Sequence, residues 1–224
     1  MVAMVDERGI QRIAVVDDSE DMRQTLSDEL SFASYETYPL VGPFQDANAL
    51  VAKATSVADA AVCDHHLNTR NFAHCTGAEV VYKCYRQRFP SLLITNWGPA
   101  DIDEIRPYLS GIPVLLTPNK ADLDAIKEGF VRCMEEFRDE YRPSRKPWRA
   151  LVRVEEVSLE HADSLVYVVL PGWISDEVIR LKLDIFPHEL QPHIKPGARF
   201  HARVNLGAET QDQLYFSNFE YHGG

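Results

Sequence analysis

No apolar run in this chain approaches the roughly 20 residues that span a bilayer, and the opening MVAMVDERG lacks the basic start and apolar core of a signal peptide. The expected location is therefore the cytoplasm, with no membrane partner. Cysteine is scarce and one-sided. Cys63, Cys75, Cys84 and Cys133 all fall in the first half without close pairing, which favours reduced thiols over a disulfide framework. Cationic charge is also short: a formal charge of −11 argues against broad electrostatic attraction to nucleic acid or to an anionic membrane. There is no internal repeat, no long low-complexity run, no Ser–His–Asp arrangement, no phosphate-cradling glycine loop and no helix-turn-helix pattern. What is present is enough for two folded domains, because 224 residues with 45% apolar content can bury two cores.

The first 137 residues alternate short β-rich runs with longer helical patterns, which is the form of an α/β domain with a parallel sheet. Strands are expected at 13–16, 36–41, 60–63, 92–95 and 114–117. Leu123, Ile126, Phe130, Met134 and Phe137 form one helical stripe, and Met22, Leu26 and Leu30 another. Residues 138–147 (RDEYRPSRKP) carry two prolines, four basic residues and no apolar period, so they read as a linker. After Trp148 the pattern changes to short alternating segments. IRLKLDI (179–185) and the Phe200, Ala202, Val204, Leu206 series each bury one face, and with 151–157, 164–170 and 213–219 they predict about five strands, a small all-β barrel or sandwich over 148–224.

Chemistry is concentrated at the carboxyl ends of the first-domain strands. VVDDS places Asp17 and Asp18 there, VCDHHLN places Asp64 at the same edge, and ligand sites in open α/β sheets form just outside that edge. Three converging carboxylates raise one another's pKa unless a cation is present, and Mg²⁺ with oxygen ligands resolves the conflict. From Arg12 to Phe137 the chain resembles the response-regulator receiver family, with a flavodoxin-like five-stranded parallel sheet. The resemblance rests on the pair Asp17-Asp18, the Asp64-His65-His66-Leu67 pattern and Thr95 ending the fourth strand. It implies that Asp64 accepts a phosphoryl group and that Asp18, Asp64 and the His66 backbone carbonyl bind Mg²⁺. Asp17 would support the ion through water, and Thr95 would bond the phosphoryl oxygens. A histidine kinase or phosphotransfer protein would be the donor.

The departures lie on the fifth strand. The family's lysine before a proline is replaced by Thr117 before Pro118, and Lys120 stands three residues further on. Val114 occupies the position usual for the switch aromatic, Asn96 follows Thr95 where a small residue is usual, and the loop Asn68–Thr76 is long. Thr117 is either a strand-end residue whose hydroxyl bonds the backbone or a member of the pocket; its hydroxyl cannot supply the missing charge. Cys63, His65, His66, His74 and Cys75 lie close together but match no standard zinc spacing.

In the second domain, Arg180, Lys182, Arg199, His201 and Arg203 line polar strand faces that solvent accounts for. Its seven Lys/Arg against eleven Asp/Glu weaken a nucleic-acid reading. The expectation is a regulator rather than a metabolic enzyme: a phosphoacceptor receiver coupled to a β-domain that binds a protein partner. The alternative is a pseudo-receiver adaptor that binds its partner without phosphorylation. Partner identity and oligomeric state are not legible.

Overall fold

The computed structural model describes residues 9–96, 98–160 and 163–221; the outer ends of the two expected domains, 1–8 and 222–224, lie outside that description. Ten strands occur in it: β1 (Arg12–Val16), β2 (Glu36–Pro39), β3 (Ala60–Asp64), β4 (Ser91–Ile94), β5 (Leu115–Leu116), β6 (Trp148–Glu160), β7 (Asp163–Val169), β8 (Val178–Lys182), β9 (Arg199–Val204) and β10 (Phe216–Tyr221). The α-helices are α1 (Glu20–Phe32), α2 (Ala47–Val57), α3 (Gly77–Arg86), α4 (Pro99–Ile105) and α5 (Leu123–Phe137). The chain divides into two compact units, 1–98 with 111–140, and 99–110 with 141–224. The second unit therefore takes α4 from the middle of the first, which differs from the contiguous division at residues 137 and 148 expected from the sequence.

In the first unit, five parallel strands run in the order β2-β1-β3-β4-β5. β-branched and aliphatic residues fill β1, β3 and β4, as strands buried on both faces require. Ile13, Val15, Val62 and Leu92 pack with Ile126 and Phe130 of α5. β2 stops at Pro39, short of the expected Val41; proline is tolerated because β2 is an edge strand. β5 is two residues instead of the expected four, since Thr117 already leads into a 3-10 turn at Pro118–Lys120. Asp46 and Asp122 cap α2 and α5 by accepting the Ala49 and Ala125 N–H groups, both at 2.8 Å.

The face of α1 differs from the Met22, Leu26, Leu30 stripe. Met22 is 54% exposed, while Arg23, Ser27 and Leu30 are buried. The cause is local polar bonding. Ser27 Oγ donates to the Arg23 carbonyl at 2.7 Å and Arg23 Nη1 to the Asp17 carbonyl at 2.5 Å, so two polar side chains are satisfied inside and the helix turns its methionine outward.

The second unit holds one five-stranded antiparallel sheet in the order β10-β9-β6-β7-β8. Alternation works as the sequence predicts: Phe200, Ala202 and Val204 face the core with Ile179 and Leu181, while Arg199, Arg203 and Arg180 do not. The expected strand 179–185 ends at Lys182. Leu183–Ile185 form a 3-10 turn that delivers Phe186 to the core, and Pro187 prevents the chain from continuing as a ladder strand.

Arginines fix the segment 99–110 to this unit. Arg106 is buried and donates through Nη1 to the carbonyls of Gln211 and Leu214, both at 2.8 Å, and Asp103 pairs with Arg180. Arg145, from the expected linker, donates to the Leu109 carbonyl at 2.8 Å and the Ser110 carbonyl at 3.2 Å while stacking on Tyr215. Tyr215 returns its hydroxyl to the Arg145 carbonyl, and Asn205 Nδ2 donates to the Ser144 carbonyl. Residues 143–145 are thus hydrogen-bonded structure rather than a loose connection.

Replacing Arg106 with methionine removes the bonds to the buried Leu214 carbonyl and to the Gln211 carbonyl, which keeps only the Leu214 N–H at 3.2 Å, an expected loss of about 2 kcal/mol. Denaturant unfolding followed through the fluorescence of Trp173, whose indole N–H bonds the Ala208 carbonyl at 2.8 Å in the same unit, reads it. An unchanged midpoint would show that Arg106 does not hold this segment in place.

Candidate functional site: an acidic pocket at the sheet edge

Strand register places the carboxylates. Val16 of β1 is opposite Cys63 of β3, so the next residues, Asp17 and Asp64, are neighbours at the carboxyl edge and on the same face of the sheet. Asp64 is opposite Ile94 of β4, so Thr95 stands one step beyond it on the adjoining strand. Asp18 follows Asp17 into the turn before α1. The four residues singled out from the sequence are therefore brought to one edge.

Each carboxylate is partly used by the backbone. Asp17 Oδ1 accepts the Ser19 N–H at 2.7 Å, which orders the entry to α1, and Asp64 Oδ2 accepts the His66 N–H at 2.7 Å. Burial raises the Asp17 pKa to about 6; the Ser19 bond opposes the rise, while Asp64 and Asp18 add to it. Asp64 is raised as well, again first by burial. Besides the Ser91 hydroxyl at the start of β4, two buried side-chain oxygens have no hydrogen-bond partner among the described residues, and both lie at this edge: Asp18 Oδ2 and Thr95 Oγ1, the latter on a residue only 1% exposed. Buried polar atoms are almost always paired, so these two mark where a ligand atom fits. A hard divalent cation suits the carboxylate oxygens, and Asp17, Asp18, Asp64 and the His66 carbonyl would offer the all-oxygen donors that Mg²⁺ takes, although the three carboxylates do not form a group with ligand atoms all within 4.8 Å of one another.

Close packing holds Asp64 from behind. Thr76 caps α3 by accepting the Glu79 N–H at 3.3 Å, and Gly77 donates its N–H to the His65 carbonyl at 2.8 Å. A Cβ on Gly77 would stand 1.8 Å from the Asp64 carbonyl oxygen, so only glycine lets α3 approach the strand this closely. Cys63 and His65 are fully buried while His66 is exposed, and all four cysteines are free and buried. Burial pushes the Cys75 thiol up to about 11 and the Cys84 thiol up to about 12, which keeps both as inert thiols.

The fifth-strand departures also have a structural form. The Thr117 hydroxyl bonds the Asn119 side-chain oxygen at 2.5 Å rather than the backbone. Lys120 is exposed in the 3-10 turn and, among the described residues, makes no ion pair. Val114 is buried with Leu92 and Phe130, a core residue with no swinging aromatic ring.

Sequence reasoning passed over Arg23. It is 8% exposed, bonds the Asp17 carbonyl and places its guanidinium carbon 5.7 Å from the centre of the Phe72 ring. Its place as the fourth residue of α1, five positions after Asp18, is the signal the sequence offers. The long loop 68–76 is tied to the segment that follows β2. Phe44 N–H donates to the Phe72 carbonyl at 2.7 Å, Phe44 and Ala73 form a bridge, and the Phe44 and Phe72 rings meet edge to face at 5.6 Å.

No family model matches the chain, and no curated protein does. Solved structures do resemble its first unit. A chemotaxis response regulator of Vibrio cholerae is 22% identical with a TM-score of 0.41, over 55% of this chain and 98% of that one. A response regulator receiver domain protein from Clostridium thermocellum is 11% identical with a TM-score of 0.44, over 59% and 100%. The signal receiver domain of an HD domain-containing protein from Pseudomonas fluorescens is 20% identical with a TM-score of 0.45, over 62% and 98%. The strand order β2-β1-β3-β4-β5 with its flanking helices is by itself the flavodoxin-like arrangement that receivers have.

Proposed function

We propose that this chain is a response-regulator-like signalling protein in which Asp64 accepts a phosphoryl group with the help of Mg²⁺, and in which the β-rich unit binds a protein partner as the output. The observation that carries the reading is the pair of buried, unpartnered oxygens, Asp18 Oδ2 and Thr95 Oγ1, beside a carboxylate whose pKa is pushed up to about 6. Bound by Asp17, Asp18, Asp64 and the His66 carbonyl, Mg²⁺ would supply the positive charge that screens an incoming phosphate from these carboxylates. An Asp64 carboxylate oxygen forms the new bond to phosphorus as the donor's bond to phosphorus breaks and its leaving group departs. The Thr95 hydroxyl donates to a phosphoryl oxygen. The donor is a histidine kinase or phosphotransfer protein, and the site makes the chain a regulator rather than a metabolic enzyme.

Read-out is supported by chain connectivity. Thr95 stands four residues before Pro99, where the chain enters the segment held by Arg106, Asp103 and Arg145 within the second unit. A change at Thr95 therefore has a short covalent route to the output unit. Among the described residues no helix is long and apolar enough to cross a membrane, and a cytoplasmic setting suits a kinase-fed regulator.

A second reading, a pseudo-receiver adaptor that never takes phosphate, is favoured by the fifth strand. Thr117 is bonded to Asn119, Val114 is locked in the core and Lys120 is exposed, so the parts that usually register phosphorylation on that strand are absent. Acetyl phosphate with Mg²⁺ separates the two readings. Intact-mass analysis is expected to show one added phosphoryl group on the unaltered protein and none on Asp64→Asn, with Thr117→Lys labelled about tenfold faster through the restored charge. No labelling of either the unaltered protein or Thr117→Lys supports the adaptor.

The raised Asp17 pKa gives a second expectation. A carboxyl whose folded pKa lies above its unfolded value stabilises the fold below about pH 4 and loses that contribution as pH rises to about 6. Asp64 adds in the same sense. In chelator-treated protein, Asp17→Asn should be more stable than the parent by roughly 1 kcal/mol at pH 7, allowing for solvent screening, with the gap closing near pH 4. Urea unfolding at the two pH values checks this, and a gap independent of pH would show that Asp17 is not strained by burial.

A further inference from the structure

Register concentrates cations on the outer face of the second unit's sheet. Arg149 of β6 is opposite Arg203 of β9, Leu151 is opposite His201, and Arg153 is opposite Arg199. The four arginines are exposed while the alternate residues Ala150, Val152, Phe200 and Ala202 are buried, so all four stand on the solvent face. They are four of the seven Lys/Arg from Trp148 onward. Alternation within each strand gives it a polar face; the pairing of β6 with β9 is what brings arginine against arginine, twice.

Like charges directly opposite on antiparallel strands stand about 5 Å apart and destabilise the sheet. The fold relieves only part of this. Glu220 of β10 pairs with Arg149 at 2.9 Å, both side chains being more than half exposed, and Glu155 pairs with Arg153. Arg199 and Arg203 make no hydrogen bond or ion pair among the described residues. At the far edge of the sheet, by contrast, Arg180 of β8 already has Asp103 as its partner.

The two arginine rows are four residues apart along the strands, about 13 Å at the rise of a strand, with Leu151 and His201 between them. An extended peptide has the same rise, so carboxylates at its positions i and i+4 fall over the two rows and its residue i+2 falls over Leu151. A nucleic acid fits less well. Its unbroken line of phosphates would run over Leu151 and meet the Glu220 and Glu155 carboxylates, and the six outward residues of the array include no Phe, Tyr or Trp on which a base could stack.

We propose that the β6–β9 face is the surface on which the output unit takes its partner, and that the partner presents an extended segment with acidic residues four positions apart. This rests on the reading of the β-rich unit as a protein-binding output and adds the chemistry it recognises. Arginine suits the role, because its planar fork takes a carboxylate through two parallel bonds.

Fluorescence anisotropy of the full chain tests it, with fluorescein-labelled oligoglutamate, which self-repulsion keeps extended near neutral pH, and an oligothymidylate of the same length as probes. The unaltered protein binds oligoglutamate, less tightly as salt rises, and prefers it to oligothymidylate. The double variant Arg199→Gln/Arg203→Gln loses about tenfold in oligoglutamate affinity. Its thermal midpoint, followed through Trp173, holds or rises by about 2 °C, because both like-charge oppositions are gone. Lys53→Gln/Lys127→Gln, an equal loss of exposed charge from α2 and α5, leaves the affinity unchanged. An equal weakening in that control shows attraction to net charge alone and overturns the proposal. A lowered midpoint in the arginine variant shows that these side chains hold the sheet, and also overturns it. Full oligoglutamate affinity in the arginine variant, or no oligoglutamate binding by the unaltered protein, removes this surface and leaves a protein-binding output on another face standing. Tighter binding of oligothymidylate through the same arginines removes both readings.

Discussion

Two carboxylates on neighbouring parallel strands, each half withdrawn from water, cannot both be ionised without a positive charge nearby. Most features of the first unit's edge follow from that constraint. Asp17 and Asp64 are neighbours because Val16 and Cys63 are in register, and they share a face because the strand period is two. The backbone answers part of the charge by donating the Ser19 and His66 N–H groups, and the same bonds start α1 and shape the turn after β3. Arg23 answers another part from a buried position on α1, which rotates that helix and exposes Met22. Asp18 Oδ2 is left buried with no partner among the described residues.

The second unit obeys a different rule. Its sheet is held by apolar alternation, but the segment 99–110 joins it through arginine bonds to backbone carbonyls, and burial lowers the Arg106 pKa. Such bonds are directional, so they fix the position of the segment as well as its attachment. Here α4 follows β4 in the chain and belongs to the second compact unit.

The strands that define the fold were legible because their alternation and their bounding turn residues agree with the packing that buries them. Asp17, Asp18, Asp64 and Thr95 were legible because each closes an apolar strand run. Residues whose role depends on a partner distant in sequence were not. Arg106 drew no attention in the sequence and Arg145 only as a linker charge, since nothing local distinguishes a guanidinium bonded to a carbonyl up to 108 positions away from one in water. The stripe Met22, Leu26, Leu30 misled for the same reason: periodicity weighs apolar side chains, whereas this helix is oriented by Arg23 and Ser27, which satisfy each other and the turn before them. The end of strand 179–185 was missed because alternation continues through Leu183 and Ile185 after the ladder has stopped.

Where the compensating charge sits matters for how a signal would leave the pocket. A lysine at the end of β5 would tie phosphoryl oxygens to that strand and to α5 behind it. With Thr117 bonded to Asn119 and Val114 buried in the core, β5 offers no such handle. Thr95, whose hydroxyl is buried and has no partner among the described residues, is joined by four residues to the segment that Arg106 anchors in the second unit, so β4 is the strand of this edge that runs directly on into that unit.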